Sequence, residues 1–191
     1  MKLWTGAMLS GVLLIGVARA GEPAEKPATQ AAADASLLGG IVHYAPPEEW
    51  KLVPANTNDT TATYIASDHD GLLAMQVLPS NAAIDAAAGK ALVTKLRQNH
   101  KLAKQEVVLE PRLEPDDSFA LRIHERYKDK EGKVVDELHL YRQVGGRAVM
   151  LTVQSLSKDE DQIRKVHTVG EEMLTSATFK PKRRGKAKND E

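Results

Sequence analysis

Cysteine is absent from this chain of 191 residues, and only 4% of its residues are aromatic. The absence of cysteine excludes disulfides, thiol catalysis, zinc–thiolate sites and a lipid anchor on an N-terminal cysteine. A domain without disulfides must be stabilised by its hydrophobic core alone. The small number of aromatic residues argues against a ligand site built from aromatic rings.

Several sequence motifs of enzymes are also missing. The chain has no Gly-x-Ser-x-Gly elbow, no phosphate-binding loop, no Gly-x-Gly-x-x-Gly fingerprint and no His-Glu-x-x-His zinc motif. These absences exclude the enzyme classes that are recognised by those motifs. The 42% of hydrophobic residues and 27% of charged residues, by contrast, are typical of a globular domain and exclude global disorder.

The chain has one strongly apolar run, Ala7 to Val17, and it is too short for a transmembrane helix, which needs about 20 apolar residues. Lys2 precedes this run, and Ala18-Arg19-Ala20 follows it with the small-x-small pattern of a cleavage site. We therefore predict a signal peptide at residues 1–20, cleaved between Ala20 and Gly21. The mature protein is then expected to be secreted or periplasmic. An uncleaved membrane anchor is the alternative.

Charge divides the remaining chain into three parts. Residues 21–40 are rich in Ala and Pro and lack an apolar period, which predicts a linker. Residues 41–179 are predicted to form one domain. The linker and this domain together, residues 21–179, carry 18 basic and 24 acidic side chains, a net charge of −6. Residues 180–191 contain six Lys or Arg and are predicted to be a disordered tail. We expect at most weak contact of this tail with anionic surfaces, and no nucleic acid partner, because the domain is acidic and exported.

The hydrophobic periodicity of the domain predicts two amphipathic helices, Asn81–Leu102 and Lys158–Thr178, among strands joined by short turns. Strands joined in this way are antiparallel. The expected fold class is therefore α+β, an antiparallel β-sheet with both helices packed on it. The strands are predicted at Ile41–Tyr44, Thr61–Ala66, Leu72–Leu78, Gln105–Leu109 (ending near Pro111) and in a meander over 119–155.

Two turns determine the register of the meander. The Gly145-Gly146 turn places Leu140 opposite Leu151, with apolar residues on one buried face and His139 on the other. At the first turn, Asp129 and Gly132 favour a three-residue loop, whereas pairing of apolar residues favours a two-residue loop. We follow the apolar pairing, which places Ile123 opposite Leu140 and His124 opposite His139. Leu138, Val149 and Val153 are expected to share the buried face with Leu140 and Leu151.

The order of these elements is accompanied by scattered aromatic and apolar positions along the first half of the domain. They are Tyr44, Pro47 and Trp50, then Ala62 and Tyr64, then Met75, Val77 and Pro79. With these features the chain resembles the PsbP-like superfamily over about residues 41–179. This resemblance implies an α/β/α sandwich and a role in binding or assembly rather than in catalysis, since the superfamily includes the extrinsic photosystem protein, a Ran-binding factor and exported bacterial proteins. The resemblance assigns no functional residue.

His124 and His139 are the candidate metal ligands, because opposed imidazoles on neighbouring strands can share a transition metal. Glu125 or Glu137 could supply a third ligand, although the predicted register places neither of them clearly within reach. An ordinary cross-strand polar pair is the alternative interpretation, because a metal site needs three or four converging ligands.

Three other groups of titratable residues are expected to be solvated. Two carboxylates and an imidazole in a hairpin turn provide too few ligands for an oxygen-seeking cation. A histidine and a glutamate spaced i, i+4 are typical of an exposed helix face, and an acidic loop around a proline is typical of a surface loop. These groups are Asp68-His69-Asp70, His167 with Glu171, and Glu114 with Asp116 and Asp117.

The expected function is that of an exported, non-enzymatic binding or assembly module of the cell envelope, with no cofactor. Its partner would be a protein or a small molecule of the envelope. The alternative is a metal-dependent hydrolase that uses His124 and His139.

Overall fold

The computed structural model describes residues 35–180 except 69 and 81. The predicted signal peptide, most of the predicted linker and all but the first residue of the tail lie outside the described residues. No helix in the described part of the chain is long and apolar enough to cross a membrane. The elements are β1 (Ala35–Leu37), β2 (Val42–Tyr44), β3 (Lys51–Leu52), β4 (Thr61–Ile65), β5 (Gly71–Val77), α1 (Ala86–Ala103), β6 (Val107–Glu114), β7 (Leu121–Lys128), β8 (Val134–Val144), β9 (Arg147–Ser155), α2 (Glu160–Thr175) and β10 (Thr178–Phe179).

A seven-stranded antiparallel sheet with the order β3-β4-β5-β9-β8-β7-β6 forms the centre of the domain. Helix α2 packs on β5, β8 and β9, and helix α1 packs on β6 and β7. Each helix covers its own face of the sheet, so the predicted α+β fold class is confirmed. Strands β1, β2 and β10 form a second, three-stranded antiparallel sheet with β2 in the middle.

The face under α2 holds the main core. Leu140 pairs with Leu151 and Leu138 with Val153, as the turn at residues 145–146 predicts, and all four side chains are fully buried. Val149 joins the same core. Gly170 allows α2 to approach this face closely, because a Cβ at that position would lie 2.5 Å from a methyl carbon of Val153.

The face under α1 holds a second apolar cluster, which contains Leu121, Ile123 and Tyr141. Leu121 and Ile123 therefore pack on the opposite side of the sheet from Leu138 and Leu140. The burial of apolar residues on both faces is characteristic of a sheet covered by a helix on each side.

Capping determines where the helices begin. The Asp85 carboxylate accepts a hydrogen bond from the Ala88 backbone N–H at 2.8 Å, so α1 starts at Ala86 rather than at the predicted Asn81. Asp159 caps α2 in the same way, accepting from the Asp161 backbone N–H at 2.8 Å. Helix α2 ends at Thr175 rather than Thr178, because Thr178 pairs with His43 in the small sheet.

Strand β6 continues through Pro111 to Glu114, although the sequence predicts that it ends near this proline. The pairing of β6 with β7 is irregular between Leu109 and Arg112, and β6 is an edge strand. Proline lacks a backbone N–H and is tolerated at such edges and bulges. At the N-terminus, β1 pairs with β2 although Ala35–Leu37 lies within the predicted linker at 21–40, so the folded region begins before Ile41.

The predicted register of β7 against β8 is wrong by one residue. Ile123 pairs with His139, and His124 pairs with Leu138. The Asp129 carboxylate accepts hydrogen bonds from the backbone N–H groups of Glu131 and Lys133 at 2.9 and 2.8 Å, and Gly132 has a positive φ of 77°. The chemistry of this turn therefore sets the register. The apolar pairing was misleading because both faces of the sheet are buried.

Candidate functional site

The corrected register places His124 and His139 on opposite faces of the large sheet. Residues that pair directly share a face, so His124 lies with Leu138 under α2, and His139 lies with Ile123 under α1. The two imidazoles therefore do not face each other, and the predicted pairing of His124 with His139 is wrong. Each histidine instead belongs to its own buried polar cluster.

The first of these, the α2-side cluster, consists of His124, Asp136 and His167. Asp136 is fully buried, and the side chains of His124 and His167 are 18% and 13% exposed. The His124 Nε2 atom lies 3.1 Å from both carboxylate oxygens of Asp136, and the His167 Nε2 atom lies 2.8 Å from Oδ1. The three residues come from β7, β8 and α2.

Charged side chains surround the α2-side cluster. Arg126 Nε donates to Asp136 Oδ2 at 2.7 Å, and its guanidinium also binds Glu160. His124 Nδ1 lies 3.4 Å from Glu114 Oε1. Burial alone would raise the pKa of Asp136, but its close contacts with His124, His167 and Arg126 hold that pKa well below its usual value. The Asp136 carboxylate is thus ionised although it is inaccessible to solvent.

The second group, the α1-side cluster, consists of Glu125, Glu137 and His139. All three side chains are buried. The His139 Nε2 atom lies 3.2 Å from Glu125 Oε1 and 3.4 Å from Glu137 Oε1. Glu125 and Glu137 are the two residues that could supply a third metal ligand beside His124 and His139, and the structure brings both of them to His139.

Glu125 and Glu137 pair directly across β7 and β8. Two buried carboxylates facing each other are unfavourable unless a cation lies between them. His139 occupies that position on the sheet, and His100 of α1 lies 2.7 Å from the second oxygen of Glu125. Burial alone would raise the pKa of Glu125, but the hydrogen bonds with His100 and His139 lower it to about 2.

The remaining atoms of the α1-side cluster also have partners. The Tyr127 hydroxyl donates to Glu137 Oε2 at 2.7 Å, and the Gln154 side-chain amide donates to the same oxygen at 3.0 Å. His139 Nδ1 lies 3.4 Å from the Thr152 hydroxyl. The hydrogen-bonding capacity of this cluster is therefore used by the protein itself, as expected of a structural polar network.

The structure does not bring together the residues of two other candidate groups as the sequence grouped them. The Asp68 carboxylate accepts a hydrogen bond from the Asp70 backbone N–H, as in an ordinary turn, while His69 lies outside the described residues. His167 contacts Asp136, whereas Glu171 accepts a hydrogen bond from Arg122, so the i, i+4 pair has separate partners.

The acidic segment at 114–117 is less exposed than predicted. Glu114 and Asp116 both contact the guanidinium of Arg122, and the Asp116 carboxylate also accepts from the backbone N–H of Ser118 at 2.7 Å. Two of its carboxylates therefore organise the loop that leads into β7. Asp117 remains on the surface.

An open cavity of about 360 Å³ lies where the C-terminal end of α1 meets strand β6. Its lining is mostly basic or polar, and its acidic member, Glu110, is paired with Arg97 at 3.3 Å. His100 connects this cavity to the α1-side cluster through Glu125. The lining residues are Arg97, His100, Lys101, Lys104, Gln105, Val107 and Glu110.

Sequence reasoning missed Asp136, and it gave His100 no role. Neither residue interrupts the hydrophobic periodicity of its strand or helix, so the periodicity does not distinguish it from its neighbours. A charged residue at a core-facing position of an alternating strand is the one available signal, and Asp136 shows it because it lies two residues before Leu138 on the same face of β8. His167 was considered with the wrong partner.

No family model matches the sequence, and no curated protein matches it. Solved structures do resemble it. The Saccharomyces cerevisiae Ran-binding protein Mog1p has a TM-score of 0.47 at 16% identity, covering 76% of this chain and 93% of that one. PsbP (CyanoP) from Synechocystis sp. PCC 6803 has a TM-score of 0.47 at 11% identity, covering 82% and 98%. LpqN of Mycobacterium tuberculosis, involved in cell envelope biogenesis, has a TM-score of 0.38 at 13% identity, covering 73% and 83%. One of these structures is a PsbP protein, which carries the name of the superfamily that the sequence resembles.

Proposed function

We propose that this protein is an exported, non-enzymatic binding or assembly module of the cell envelope. We further propose that it contacts an acidic protein segment through a surface at the end of α1, the α1-end surface. The observation that carries this proposal is the combination of a basic cavity with exposed apolar side chains on a domain that is acidic as a whole. The α1-end surface consists of Arg97, Lys101, Leu102, Lys104, Val107 and Val108.

Exposed apolar groups support a binding role for this surface. Leu102 is 83% exposed and Val108 is 52% exposed, and they flank the two ends of the α1–β6 connection. When a partner covers a large apolar side chain, the complex is stabilised by about 25 cal/mol per Å² of apolar area removed from water. Both side chains are adjacent in sequence to residues that line the cavity, so they would provide the apolar part of the proposed surface.

The charge of the α1-end surface favours an acidic partner. Lys101 and Lys104 form no ion pair with another residue of the described region, and both line the cavity. Residues 21–179 carry a net charge of −6, so this basic area differs in sign from the rest of the domain. Complementary charge across an interface increases the rate of association and selects the partner.

Strand β6 adds a main-chain component to the α1-end surface. It lies at the edge of the large sheet and pairs with β7 on one side only. An extended segment of a partner can add to such an edge through backbone hydrogen bonds. The pairing of β6 with β7 is irregular both between Val107 and Leu109 and between Leu109 and Arg112, so only a short stretch of β6 beside Val107 and Val108 would take part in this addition.

The proposal is tested by cross-linking in the envelope of cells that produce the protein. A photoreactive amino acid replaces Val108, and the variant Lys101→Glu/Lys104→Glu is examined in the same background. We expect a discrete protein adduct from position 108 that is lost after the charge reversal. The control places the photoreactive residue at Arg164 of α2, whose side chain is also exposed, at 76%.

Three outcomes would contradict the proposal. The absence of a discrete adduct at position 108 would remove the α1-end surface from any binding role. Adducts of equal yield at positions 108 and 164, unaffected by charge reversal, would show nonspecific proximity. An adduct with a lipid or a polysaccharide instead of a protein would contradict the proposed class of partner.

A further inference from the structure

The α2-side cluster has the donor set of a transition-metal site. One ring nitrogen of each histidine and one carboxylate oxygen of Asp136 lie within 4.8 Å of one another. Ligand atoms at about 2.0–2.2 Å from one metal ion are separated by roughly 3 Å or slightly more. The distances from Asp136 Oδ1 to the Nε2 atoms of His124 and His167 are 3.1 and 2.8 Å, which agrees with that spacing.

His167 provides a second and independent observation. Its Nε2 atom is buried and has no hydrogen-bond partner, although Asp136 Oδ1 lies only 2.8 Å away. An imidazolium N–H in this position would be expected to point at the carboxylate oxygen. Two ligands of one metal ion instead direct their lone pairs at the ion and not at each other, so they approach closely without a hydrogen bond.

Outer residues orient the other two ligands. Glu114 lies 3.4 Å from His124 Nδ1, so a proton on Nδ1 leaves the Nε2 lone pair for a metal ion. Arg126 donates a hydrogen bond to Asp136 Oδ2, and the other oxygen, Oδ1, faces both imidazoles. Carboxylates behind ligating histidines and hydrogen bonds to ligating carboxylates are regular features of metal sites.

The charges around the α2-side cluster favour a dication. The ion-pair network connected to it contains five carboxylates and three guanidinium groups, a net charge of −2 when both imidazoles are neutral. Glu160 and Arg112 of this network are largely exposed, whereas the Asp136 carboxylate is fully buried. Negative charge that is buried favours a cation or protons beside it. The members are Glu114, Asp116, Asp136, Glu160 and Glu171 with Arg112, Arg122 and Arg126.

We propose that His124, Asp136 and His167 bind one divalent first-row transition-metal ion through Nε2, Oδ1 and Nε2. Nitrogen and oxygen ligands of this kind suit Zn²⁺ and its neighbours in the series, and water completes the coordination. The ion would join α2 to β7 and β8 across the sheet face and would stabilise the packing of the helix. The proposed role is structural, and it is independent of the α1-end surface.

The site is tested by titrating Zn²⁺ and Co²⁺ into the metal-free mature protein, produced without a histidine tag. Calorimetry should show one Zn²⁺ ion bound per chain, with a rise in the melting temperature that saturates at the same ratio. X-ray absorption of the zinc-loaded wild-type protein should show two imidazole nitrogens at the metal, and this measurement requires no variant to fold.

Three variants locate the ion. His167→Gln should abolish binding over the titrated range, whereas His139→Gln, which changes a buried histidine of the α1-side cluster, should bind with unchanged affinity. Glu114→Gln should weaken binding by about 10–100-fold, because it removes only the group behind His124. Circular dichroism monitors the fold of each variant.

Several results would overturn the proposal. They are the absence of stoichiometric binding to the wild-type protein, a metal environment without two imidazoles, and unchanged affinity in His167→Gln. Loss of binding in a folded His139→Gln variant would place the ion in the α1-side cluster and would equally contradict the assignment.

Discussion

His100, near the C-terminal end of α1, forms a buried ion pair with Glu125 of β7, with 2.7 Å between Nε2 and Oε2. The second ring nitrogen of His100 lies 2.8 Å from the side-chain oxygen of Gln105. Both ring nitrogens therefore face acceptors, which favours the doubly protonated imidazolium. The pair connects the helix to the sheet at a point where Glu137 and His139 lie close by.

The His100–Glu125 pair makes stability depend on pH. The hydrogen bond with Glu125 raises the pKa of His100 above 6.5 in the folded protein. Its contribution to stability is therefore fully present below pH 6.5 and is lost as the pH rises through the raised value. Glu125 stays ionised throughout this range because its pKa is lowered to about 2.

We expect the difference in unfolding free energy between the wild-type protein and His100→Gln to shrink as the pH rises above 6.5. Urea unfolding at a series of pH values measures this difference. Thr94→Ala, an exposed change on the same helix that introduces no titratable group, should shift stability by a constant amount. A constant difference for His100→Gln as well would show that His100 is neutral in the folded state.

Leu140→Ala should lower the free energy of unfolding by about 2–5 kcal/mol, because it removes a fully buried side chain from the core under α2. Chemical denaturation measures the change. Leu102→Ala is the matched control, and it should change stability by less than about 0.5 kcal/mol because Leu102 is 83% exposed. Equal effects of the two substitutions would contradict the assignment of the core face.

The mature protein is predicted to begin at Gly21 and to be secreted or periplasmic. The charged, apolar and small residues of positions 1–20 are the basis of this prediction. Mass spectrometry of protein purified from its native host determines the N-terminal residue. Intact Met1 in a membrane fraction would support the anchor instead.

The segment 180–191 is predicted to make weak, salt-sensitive contacts with anionic surfaces. Six of its residues are Lys or Arg, and each contributes about 1 kcal/mol near an anionic membrane. Sedimentation with anionic vesicles at low and high salt compares the mature protein with a form that ends at Phe179. We expect the shortened form to bind less at low salt. Equal binding of both forms would show that the tail does not contribute to vesicle binding.

The sequence was sufficient to predict the second hairpin of the meander and the core beneath α2. Leu138 and Leu140 alternate with polar residues, and the Gly145-Gly146 turn matches them with Leu151 and Val153 without any distant information. The two helices were predicted for a similar reason, because the period of their apolar residues is local. The first residues of the two helices were not predicted correctly, because N-capping by Asp85 and Asp159 determines where they begin.

Tertiary structure decided which face each polar residue occupies. A two-residue period shows that His124 and Glu125 point to opposite sides of β7, but both sides are covered by a helix, so hydrophobicity does not select between them. The hydrogen bonds of Asp129 in the turn make that selection. His124 and His167 then meet at Asp136 only because α2 packs across the sheet, 43 residues further along the chain. Such convergence is a property of packing, and no local pattern in the sequence encodes it.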